Sequence, residues 1–535
     1  MEKLNGLVFR GMLESGCNHL NNRKKEVDAL NVFPVPDGDT GTNMSLTFSN
    51  GVNEVIKSGS DSLPVVAKTL QRGLLMGARG NSGVILSQIF RGFYQGVKDK
   101  EELSAADLSE AMLNGSARAY KAVMRPVEGT ILTVVRESSE AAANALKENP
   151  ELSIEGYIDI LCDEAKKSVD HTPELLPVLK EAHCVDSGGT GLLMIFDGFR
   201  AYLVGKPFTA DEKTEAPAEE KSPVASGYRT EFILNFNDHG RRSFKEERFR
   251  KSVEQLGNKI TLITDENGIR LRLNTMTPGE ILMLGQRYGD FAKVQIENIQ
   301  DDLNPSIIEE AEKPVEEKEY GIIAVAAGDG LAKLFKDYRC DIVVSGGQTM
   351  NPSTQDFIDA IGQIHARHIF ILPNNSNIIM AAKQAAHVTK DKDIIVIETK
   401  SILQGISSCI VFNPDDAPET NKDNMLDAVA HVRSGSVTYA IKDTTVDGNE
   451  IHAGDYMSIL EHDIIHTDRD AVGAAKYLID TMCDEDSEIV TLIRGKDATE
   501  EQCSELEQYI SENYEVDVDV QNGEQPVYSF FIGVE

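Results

Sequence analysis

The chain has few cysteines and no long apolar run, and both absences exclude classes of protein. Its seven cysteines are scattered, with no C-x-x-C pair, which excludes a disulfide framework and a cysteine-rich zinc site. No stretch approaches the roughly 18 consecutive apolar residues that a transmembrane helix needs. The opening Met-Glu-Lys-Leu-Asn is not a basic segment that leads into an apolar one, as a secretory signal would be. We therefore expect a soluble, cytoplasmic protein with reduced thiols.

Basic residues are also in short supply. The sequence has 53 lysines and arginines against 87 aspartates and glutamates, and its formal net charge is -34. Because such a balance repels nucleic acids and anionic membrane surfaces, we exclude both as primary partners. The acidic surface instead suits solubility, or docking to a basic patch on another protein.

The length and the composition of the chain predict several domains. A chain of 535 residues is too long for one hydrophobic core, and about three domains are expected. Residues 207–225 and 301–318 are charged, contain proline and lack apolar periodicity, which is the composition of linkers. They divide the chain into predicted domains at residues 1–206, 226–300 and 319–535.

The three predicted domains differ in the periodicity of their apolar residues. In residues 1–206 these recur at helical spacing without convincing strand alternation, which predicts an all-α domain that includes separate helices at 155–169 and 173–183. The middle domain combines alternating strands with helical stretches, as in a small α/β domain. From residue 319 strands alternate with helices, and the pattern changes beyond residue 420, which predicts a two-lobed α/β domain.

The stretch from Asn31 to Met44 has the composition of a metal and phosphate loop. Asp37 and Asp39 flank one glycine after two prolines, and paired carboxylates on a turn are ligands that Mg²⁺ selects. Small and hydroxylated residues follow at the start of a helix, where free N–H groups and the helix dipole favour phosphate. The alternative is an Asp-Gly turn that only caps the helix.

Three further glycine-rich stretches open helices in the same domain. They span residues 77–86, 125–133 and 183–192, and their glycines allow a ligand to approach the backbone. Each stretch is also consistent with an ordinary helix cap. If the helices form an antiparallel barrel, loops at the same end gather around one mouth, and together they could hold a nucleotide.

A loop in the third domain also has the features of a site. Residues 345–356 follow a predicted strand at 341–345, and Ser353 to Asp356 form a capping box. Ligands and partners bind such folds in the crevice at the carboxyl ends of the strands. A capped loop that serves only the fold is the alternative.

The motifs resemble those of the ATP-binding subunit of bacterial fatty acid kinase, and the resemblance covers nearly the whole chain. It is carried by the stretches at 31–44, 77–88, 172–182, 185–191, 345–354 and 399–405. The resemblance implies an all-α antiparallel helical barrel of the dihydroxyacetone kinase nucleotide-binding type, with Mg-ATP at its mouth. It also implies a middle domain involved in dimerisation and a C-terminal domain similar to the fatty-acid-binding protein that presents the substrate.

The resemblance also assigns site residues. It implies that Asp37 and Asp39 bind Mg²⁺. It also implies that these two aspartates and Thr42 are the catalytic residues. It implies that the phosphates and the nucleotide are held by a set of small and polar residues at the helix starts: Asn43, Gly80, Asn81, Ser82, Gly83, Thr130 and Asp186.

The sequence departs from the dihydroxyacetone kinase pattern at one metal position. Those kinases carry a third Asp a few residues before the pair, where this chain has Asn31 and Val32. Three candidates remain open for completing the metal shell: Asn31, Glu128 and water.

The expected function is phosphorylation of a fatty acid by ATP. A homodimer would transfer the phosphoryl group of ATP to the carboxylate of the fatty acid and form an acyl phosphate. A separate fatty-acid-binding carrier protein would present the acid. Two alternatives remain open: a dihydroxyacetone-type kinase of a small hydroxylated molecule, and a regulatory scaffold whose site only senses ATP.

We predict that the middle domain binds no zinc. The resemblance implies that family members with a metal in this domain use a Cys before Thr-Glu-Phe and a His-x-His before Thr, and the matching positions here are Arg229, Arg272 and Asn274. Arginine does not ligate zinc under ordinary conditions. Elemental analysis of purified, tag-free protein should therefore find no stoichiometric zinc. Stoichiometric zinc that is lost when residues 226–300 are removed would contradict this prediction.

Overall fold

The computed structural model describes most of the chain and divides it into two compact units. The described residues are 1–32, 38–210, 228–254, 256–264, 268–298, 318–347, 350–440, 444–446, 449–461 and 463–535. One unit combines Met1–Thr214 with Val315–Glu535, and the other is Glu215–Pro314. The N-terminal and C-terminal parts of the chain therefore pack together, which the sequence pattern did not predict.

The N-terminal part is helical. Its helices are α1 (Gly6–Ala29), α2 (Thr40–Ser58), α3 (Leu63–Gly77), α4 (Gly80–Val97), α5 (Ala105–Ala122), α6 (Ile131–Glu148), α7 (Ile154–Leu175), α8 (Pro177–Glu181) and α9 (Ser187–Leu203). From α1 to α7 each helix packs against the next, α7 packs against α9, and α9 packs against α1, so that the ring closes. Side chains on the inward faces of these helices, Phe48 and Phe196 among them, are fully buried in one core.

Helix α7 corrects the predicted break between residues 169 and 173. It runs from Ile154 to Leu175 with Pro173 inside its last turn. Proline has no N–H to donate to the carbonyl four residues earlier, but the Thr172 hydroxyl donates to that carbonyl, Val169 O, at 2.7 Å. The helix therefore continues for two residues past the proline.

The unit Glu215–Pro314 contains an antiparallel sheet with helices. Its elements are β1 (Tyr228–Phe236), α10 (Asp238–Ser243), α11 (Glu246–Glu254), β2 (Gly257–Thr264), β3 (Gly268–Thr275), α12 (Pro278–Gln286) and β4 (Gly289–Asn298), in the sheet order β2-β3-β1-β4. The sequence pattern indicates only the central strands β1 and β3. The edge strands β2 and β4 are rich in polar residues, which is common at sheet edges and weakens the alternation signal.

The register of the middle sheet places the three positions at which we predict no zinc ligand on two paired strands, β1 and β3. Arg229 on β1 pairs with Asn274 on β3, and Glu231 pairs with Arg272. Residues 272 and 274 lie on one face of β3 because side chains alternate along a strand.

The C-terminal part has two lobes. The first contains β5 (Lys318–Ala326), α13 (Asp329–Asp337), β6 (Ile342–Ser345), α14 (Thr354–Gln363), β7 (Ala366–Leu372), α15 (Ile379–Val388), β8 (Asp393–Val396), α16 (Ile402–Val411) and α17 (Pro418–His431). Its sheet is parallel, in the order β6-β5-β7-β8. This agrees with the βαβ pattern of the sequence, although α16 was not predicted.

The second lobe has a mixed sheet. Its elements are β9 (Arg433–Tyr439), β10 (Thr444–Val446), β11 (Asn449–Ile451), β12 (Tyr456–Leu460), β13 (Asp463–Asp468), α18 (Ala471–Met482), β14 (Ile489–Arg494), α19 (Glu500–Asn513), β15 (Asp517–Asn522) and β16 (Tyr528–Val534). The main sheet has the order β13-β12-β9-β16-β14-β15. Antiparallel pairing of β12 with β13 adds a hairpin that the sequence pattern missed.

A search of the described residues found no helix that is both long and apolar enough to cross a lipid bilayer.

Glycine closes the ring where α9 meets α1. A Cβ atom on Gly198 would lie 2.3 Å from the Gly16 Cα, and one on Gly16 would lie 2.9 Å from the Ile195 carbonyl oxygen. Both contacts are with backbone, so neither can be relieved by turning a side chain. The two helices can approach this closely only because both positions lack a side chain.

We predict that Gly198→Ala destabilises the protein. The added methyl group must push α1 and α9 apart, and overpacking of this kind costs about 1–3 kcal/mol. The matched control is Gly362→Ala, because Gly362 lies in α14 with no atom within 4 Å of the added Cβ, and alanine favours a helix. Thermal unfolding followed by circular dichroism should show a lower midpoint for Gly198→Ala and an unchanged or higher one for Gly362→Ala. Equal midpoints for the two variants would contradict the prediction.

Candidate functional site

Loops from one end of the helical ring surround a cavity of about 230 Å³. Because successive helices of the ring alternate in direction, α2, α4, α6 and α9 all begin at this end. The structure thus brings together residues from all four glycine-rich stretches of the sequence. The lining residues are Asn31, Asp39, Thr40, Asn43, Asn81, Ser82, Ile85, Val123, Arg125, Val127, Thr130, Ile131, Leu132, Asp186, Ser187, Gly188, Asn377 and Met380.

Asp39 lies at the cavity wall, at the N-cap of α2. Its side chain is 9% exposed and does not cap the helix through a side-chain hydrogen bond. Beside it, the Thr40 hydroxyl donates to Asn31 Oδ1, and the Ser187 hydroxyl lies 3.4 Å from the same oxygen. Asp37, the other predicted metal ligand, lies outside the described residues.

Thr42 is turned away from the cavity. Its hydroxyl donates to Asp28 Oδ2 at 2.9 Å, and its backbone N–H donates to Asp28 Oδ1 at 2.8 Å. Thr42 is three residues past the N-cap, so the helical rotation directs it toward α1 and not toward the cavity. The structure therefore does not bring Thr42 together with Asp39 and Asn43.

The second loop contributes Asn81 and Ser82 to the cavity wall. Gly80 is in the left-handed region, with φ of 59°, and a Cβ there would lie 2.5 Å from Asn43 Nδ2. Glycine is therefore needed both for the turn and for the approach of Asn43. Gly83, in contrast, packs against the body of the ring, because its Cβ would lie 2.3 Å from Thr47 Oγ1.

The third and fourth loops present helix caps. Thr130 is the N-cap of α6, and its hydroxyl accepts from the Leu132 N–H and donates to the Val127 carbonyl at 2.8 Å. Asp186 is the N-cap of α9, and its Oδ2 accepts from the Gly189 N–H at 2.6 Å. Burial raises the pKa of Asp186 to about 6, even though the N–H groups of Gly189 and Ile131 stabilise the charged form.

The structure separates the candidates for the third metal ligand. Asn31 lines the cavity and is 6% exposed. Glu128 is not among the lining residues: it accepts from the Thr133 hydroxyl at 2.7 Å and from Arg136 at 2.8 Å. Although partial burial raises the pKa of Glu128, these bonds hold it below its ordinary value. Of the two side chains, only Asn31 lines the cavity together with Asp39.

The electrostatics of the cavity suit a phosphate. The first turns of α2, α4, α6 and α9 direct the positive ends of their dipoles toward it. The N-cap residues of α2 and α4 make no side-chain cap bond. The Thr42 N–H of α2 already donates to Asp28, and a ligand can accept from other N–H groups of these first turns. Within the described part of the chain no group of three or more His, Cys, Asp or Glu side chains is positioned to hold a metal.

One wall of the cavity is apolar, and part of it comes from the C-terminal part of the chain. Its apolar residues are Ile85, Val123, Val127 and Leu132 of the helical part and Met380 of α15. Asn377, just before α15, accepts a hydrogen bond from Asn81 Nδ2 at 3.0 Å. Sequence reasoning missed both C-terminal residues, because no local pattern marks a contact between residues almost 300 positions apart.

Comparisons with known proteins cover all three parts of the chain. The model of the DAK2 domain matches residues 34–201. The model of the FakA-like middle domain of fatty acid kinase matches residues 225–305, and the model of the FakA-like C-terminal domain matches residues 321–535.

Relatives align along the full length of the chain. Protein YloV of Bacillus subtilis (strain 168) is 43% identical over 555 aligned positions, which cover 99% of each chain. An uncharacterized protein of Staphylococcus aureus (strain USA300) is 40% identical over 551 positions, which cover 100% of each chain.

Solved structures resemble parts of the chain. A hypothetical protein from Thermotoga maritima, whose structure is described as revealing a fatty acid binding function, has 13% identity and a TM-score of 0.33, and the match covers 41% of this chain and 99% of that one. The dihydroxyacetone kinase of C. freundii has 19% identity and a TM-score of 0.28, with 37% of this chain and 34% of that chain covered.

The buried carboxyl of Asp186 predicts a pH dependence of stability. Because its pKa is raised from 3.8 to about 6, the folded protein binds this proton more tightly than the unfolded chain does. The cost of burying the charge is therefore present at neutral pH and is relieved as the pH falls through 6. Asp186→Asn removes the titration and keeps an amide oxygen for the Gly189 N–H.

We expect the unfolding free energy of the wild type, relative to Asp186→Asn, to increase as the pH falls from about 7.5 to about 5. Urea denaturation of the two proteins without nucleotide or divalent cation measures this difference. The pH dependence that comes from all other groups is common to both proteins, so it cancels when one unfolding free energy is subtracted from the other. A difference that stays constant over this range would show that Asp186 has an ordinary pKa.

Proposed function

The chain belongs to the FakA-like family of fatty acid kinases with an N-terminal DAK2 domain, and from that premise we propose that it transfers the terminal phosphoryl group of ATP to the carboxylate of a fatty acid. The product is an acyl phosphate, and a separate fatty-acid-binding protein presents the acid. The family makes the chain a kinase; the acceptor and its carrier are the proposal.

One observation carries the proposal: Asp39 lies in a cavity at which α2, α4, α6 and α9 all begin. A phosphate needs positive dipole ends and N–H donors, and a divalent cation needs hard oxygen ligands. The cavity offers both within one enclosure. Its apolar wall of Ile85, Val123 and Met380 offers a surface against which a nucleotide base can pack.

The oxygen ligands in the cavity fit Mg²⁺. Asp39 supplies a carboxylate and Asn31 an amide oxygen, and we propose that Asp37 supplies the second carboxylate. Mg²⁺ bound there would neutralise charge on the phosphoryl group during transfer. Asp39 and Asn31 would hold the cation at the N-terminus of α2, next to the phosphates.

We assign the phosphates to the first and second loops. Asn43 and Asn81 can donate through their amides and Ser82 through its hydroxyl, and all three line the cavity. Gly80 lets Asn43 approach the second loop. The caps Thr130 and Asp186 hold the starts of α6 and α9 in position around the cavity.

A carboxylate acceptor explains why the site needs no strong base. A fatty acid is ionised at neutral pH and is already a nucleophile, whereas an alcohol must lose a proton. None of the cavity-lining residues in the described part of the chain is a histidine. Catalysis then consists of positioning the reactants and stabilising charge.

We also propose roles for the other parts of the chain. The middle domain forms a homodimer, and the C-terminal domain receives the carrier protein. The net charge of -34 favours a carrier with a basic docking patch.

The test is production of acyl phosphate by the full-length protein with ATP, Mg²⁺ and a carrier loaded with fatty acid. We expect Asp39→Ala to lower the rate at least about a hundredfold, because the cation loses a ligand, and we expect the same of Asp37→Ala. Asp99→Ala is the control, since Asp99 is exposed in the turn after α4. Each variant should keep the circular dichroism spectrum of the wild type.

The other outcomes of this assay separate the alternatives. Wild-type rates for Asp39→Ala would refute the assignment of the site. In a parallel reaction with dihydroxyacetone in place of the loaded carrier, phosphorylation of dihydroxyacetone but not of the fatty acid would indicate a kinase of small hydroxylated molecules. ATP binding without phosphorylation of either acceptor would indicate a scaffold that senses ATP.

A further inference from the structure

A residue of the C-terminal part contacts the proposed metal ligand. Asn351 lies in the loop between β6 and α14, and its Nδ2 donates to Asp39 Oδ2 at 2.6 Å. The Asn351 side chain is 1% exposed. A buried hydrogen bond to a carboxylate is stronger than one between neutral groups, and it restricts rotation of the Asp39 carboxylate.

The loop that carries Asn351 is fastened to the start of α4. The Arg79 guanidinium donates to the Asn351 carbonyl at 2.7 Å and lies 3.5 Å from Asp356. The Thr354 N–H donates to the Ala78 carbonyl at 3.1 Å. Ser353 and Asp356 form the capping box of α14 that the sequence predicted. The position of Asn351 is therefore set by several bonds besides its own.

A second asparagine of the C-terminal part contacts another loop of the cavity. Asn377 accepts from Asn81, a residue we assign to the phosphates. In addition, a Cβ on Gly80 would lie only 3.4 Å from Asn351 Nδ2. The C-terminal part thus contacts both loops that we assign to the cation and the phosphates.

The other polar atom of the Asn351 amide is buried as well. Its Oδ1 accepts no hydrogen bond from any residue that the structure describes. A buried acceptor without a donor costs free energy, so polar atoms of this kind are retained mainly where a ligand or a function requires them. A water molecule bound to the cation at Asp39 is a donor of the right chemistry.

We propose that Asn351 is a positioning residue of the nucleotide site: it orients Asp39 for the cation, so that the C-terminal domain is part of the site for Mg-nucleotide. This inference rests on the proposed function, because it takes Asp39 as a metal ligand. It extends that function by giving Asn351 a role that is separate from carrier docking.

A nearby pair of glutamines distinguishes positioning from general packing of the two domains. Gln88 Nε2 donates to Gln384 Oε1 at 2.9 Å, and Gln384 Nε2 donates to the Leu75 carbonyl at 2.9 Å. Both glutamines are buried in the same interface, yet neither is among the residues that line the cavity. Gln384→Ala removes these bonds and a further one to the Thr354 hydroxyl at 3.2 Å, and it leaves the contact between Asn351 and Asp39 in place.

The experiment measures binding of ADP to the full-length protein by calorimetry, with and without Mg²⁺. The ratio of the two affinities reports how much the cation contributes. Loss of a group that orients a metal ligand typically weakens metal binding about 10- to 100-fold. We expect Asn351→Ala to reduce the ratio by about this factor and to leave the affinity without Mg²⁺ nearly unchanged, and we expect Gln384→Ala to keep the wild-type ratio.

Two further variants keep the test decisive. Asn351→Ser retains a small polar side chain that is too short to reach Asp39. It takes the place of Asn351→Ala if that variant folds poorly, and it should reduce the affinity ratio by the same factor. In an Asp39→Ala background, Asn351→Ala should have no further effect on the ratio, because its partner is gone.

A wild-type ratio in Asn351→Ala and Asn351→Ser would overturn the inference, and so would an equal loss in Gln384→Ala. The calorimetric assay contains no phosphoryl acceptor, so its result does not depend on whether the protein forms acyl phosphate. Failure to form acyl phosphate would bear only on the proposed function. No effect of Mg²⁺ on the wild type would overturn both.

Discussion

The candidate site depends on the closed ring of helices. In a ring whose members alternate in direction, every second helix begins at the same end, and here these are α2, α4, α6 and α9. The positive ends of their dipoles meet there, beside the side chains of Asp39, Asp186 and Arg125. The close contact of Gly16 with Gly198, where α1 meets α9, is part of what closes this ring. This end of the ring therefore combines N–H groups, which can bond an anion, with carboxylates, which can bind a cation.

The cavity also concentrates polar groups that are costly to bury. Asn31, Asp39, Asn43 and Asp186 are each at most 9% exposed, and the carboxyl of Asp186 has a raised pKa because it is fully buried. Asp39, Asn43 and Asp186 lie at the starts of α2 and α9, and Asn31 follows the end of α1. A cluster of buried polar groups of this kind suits a binding site. Contacts from Asn351 and Asn377 extend the same network into the C-terminal part.

Much of the fold and part of the site could be predicted from local patterns. Asp39, Asn81, Thr130 and Asp186 lie where the sequence indicated helix starts, and cap chemistry is a local signal. The pattern was wrong where a second interaction intervened, as at Pro173, where the Thr172 hydroxyl replaces the missing donor. It also did not show which way each residue of a helix start would face. Thr42 is an example: its hydroxyl donates to Asp28, and the side chain lies away from the cavity.

The sequence by itself determined the class of each domain and the loops that could bind a phosphate, because helical periodicity, caps and glycine turns depend only on residues that are close together in the sequence. Only the tertiary structure decided that Asn31 and not Glu128 lies beside Asp39, since that choice depends on Arg136 and Thr133 holding the glutamate elsewhere. It alone placed Asn351 on Asp39, 312 residues away. Contacts between domains arise from the shapes of folded surfaces, and no spacing along the chain encodes them.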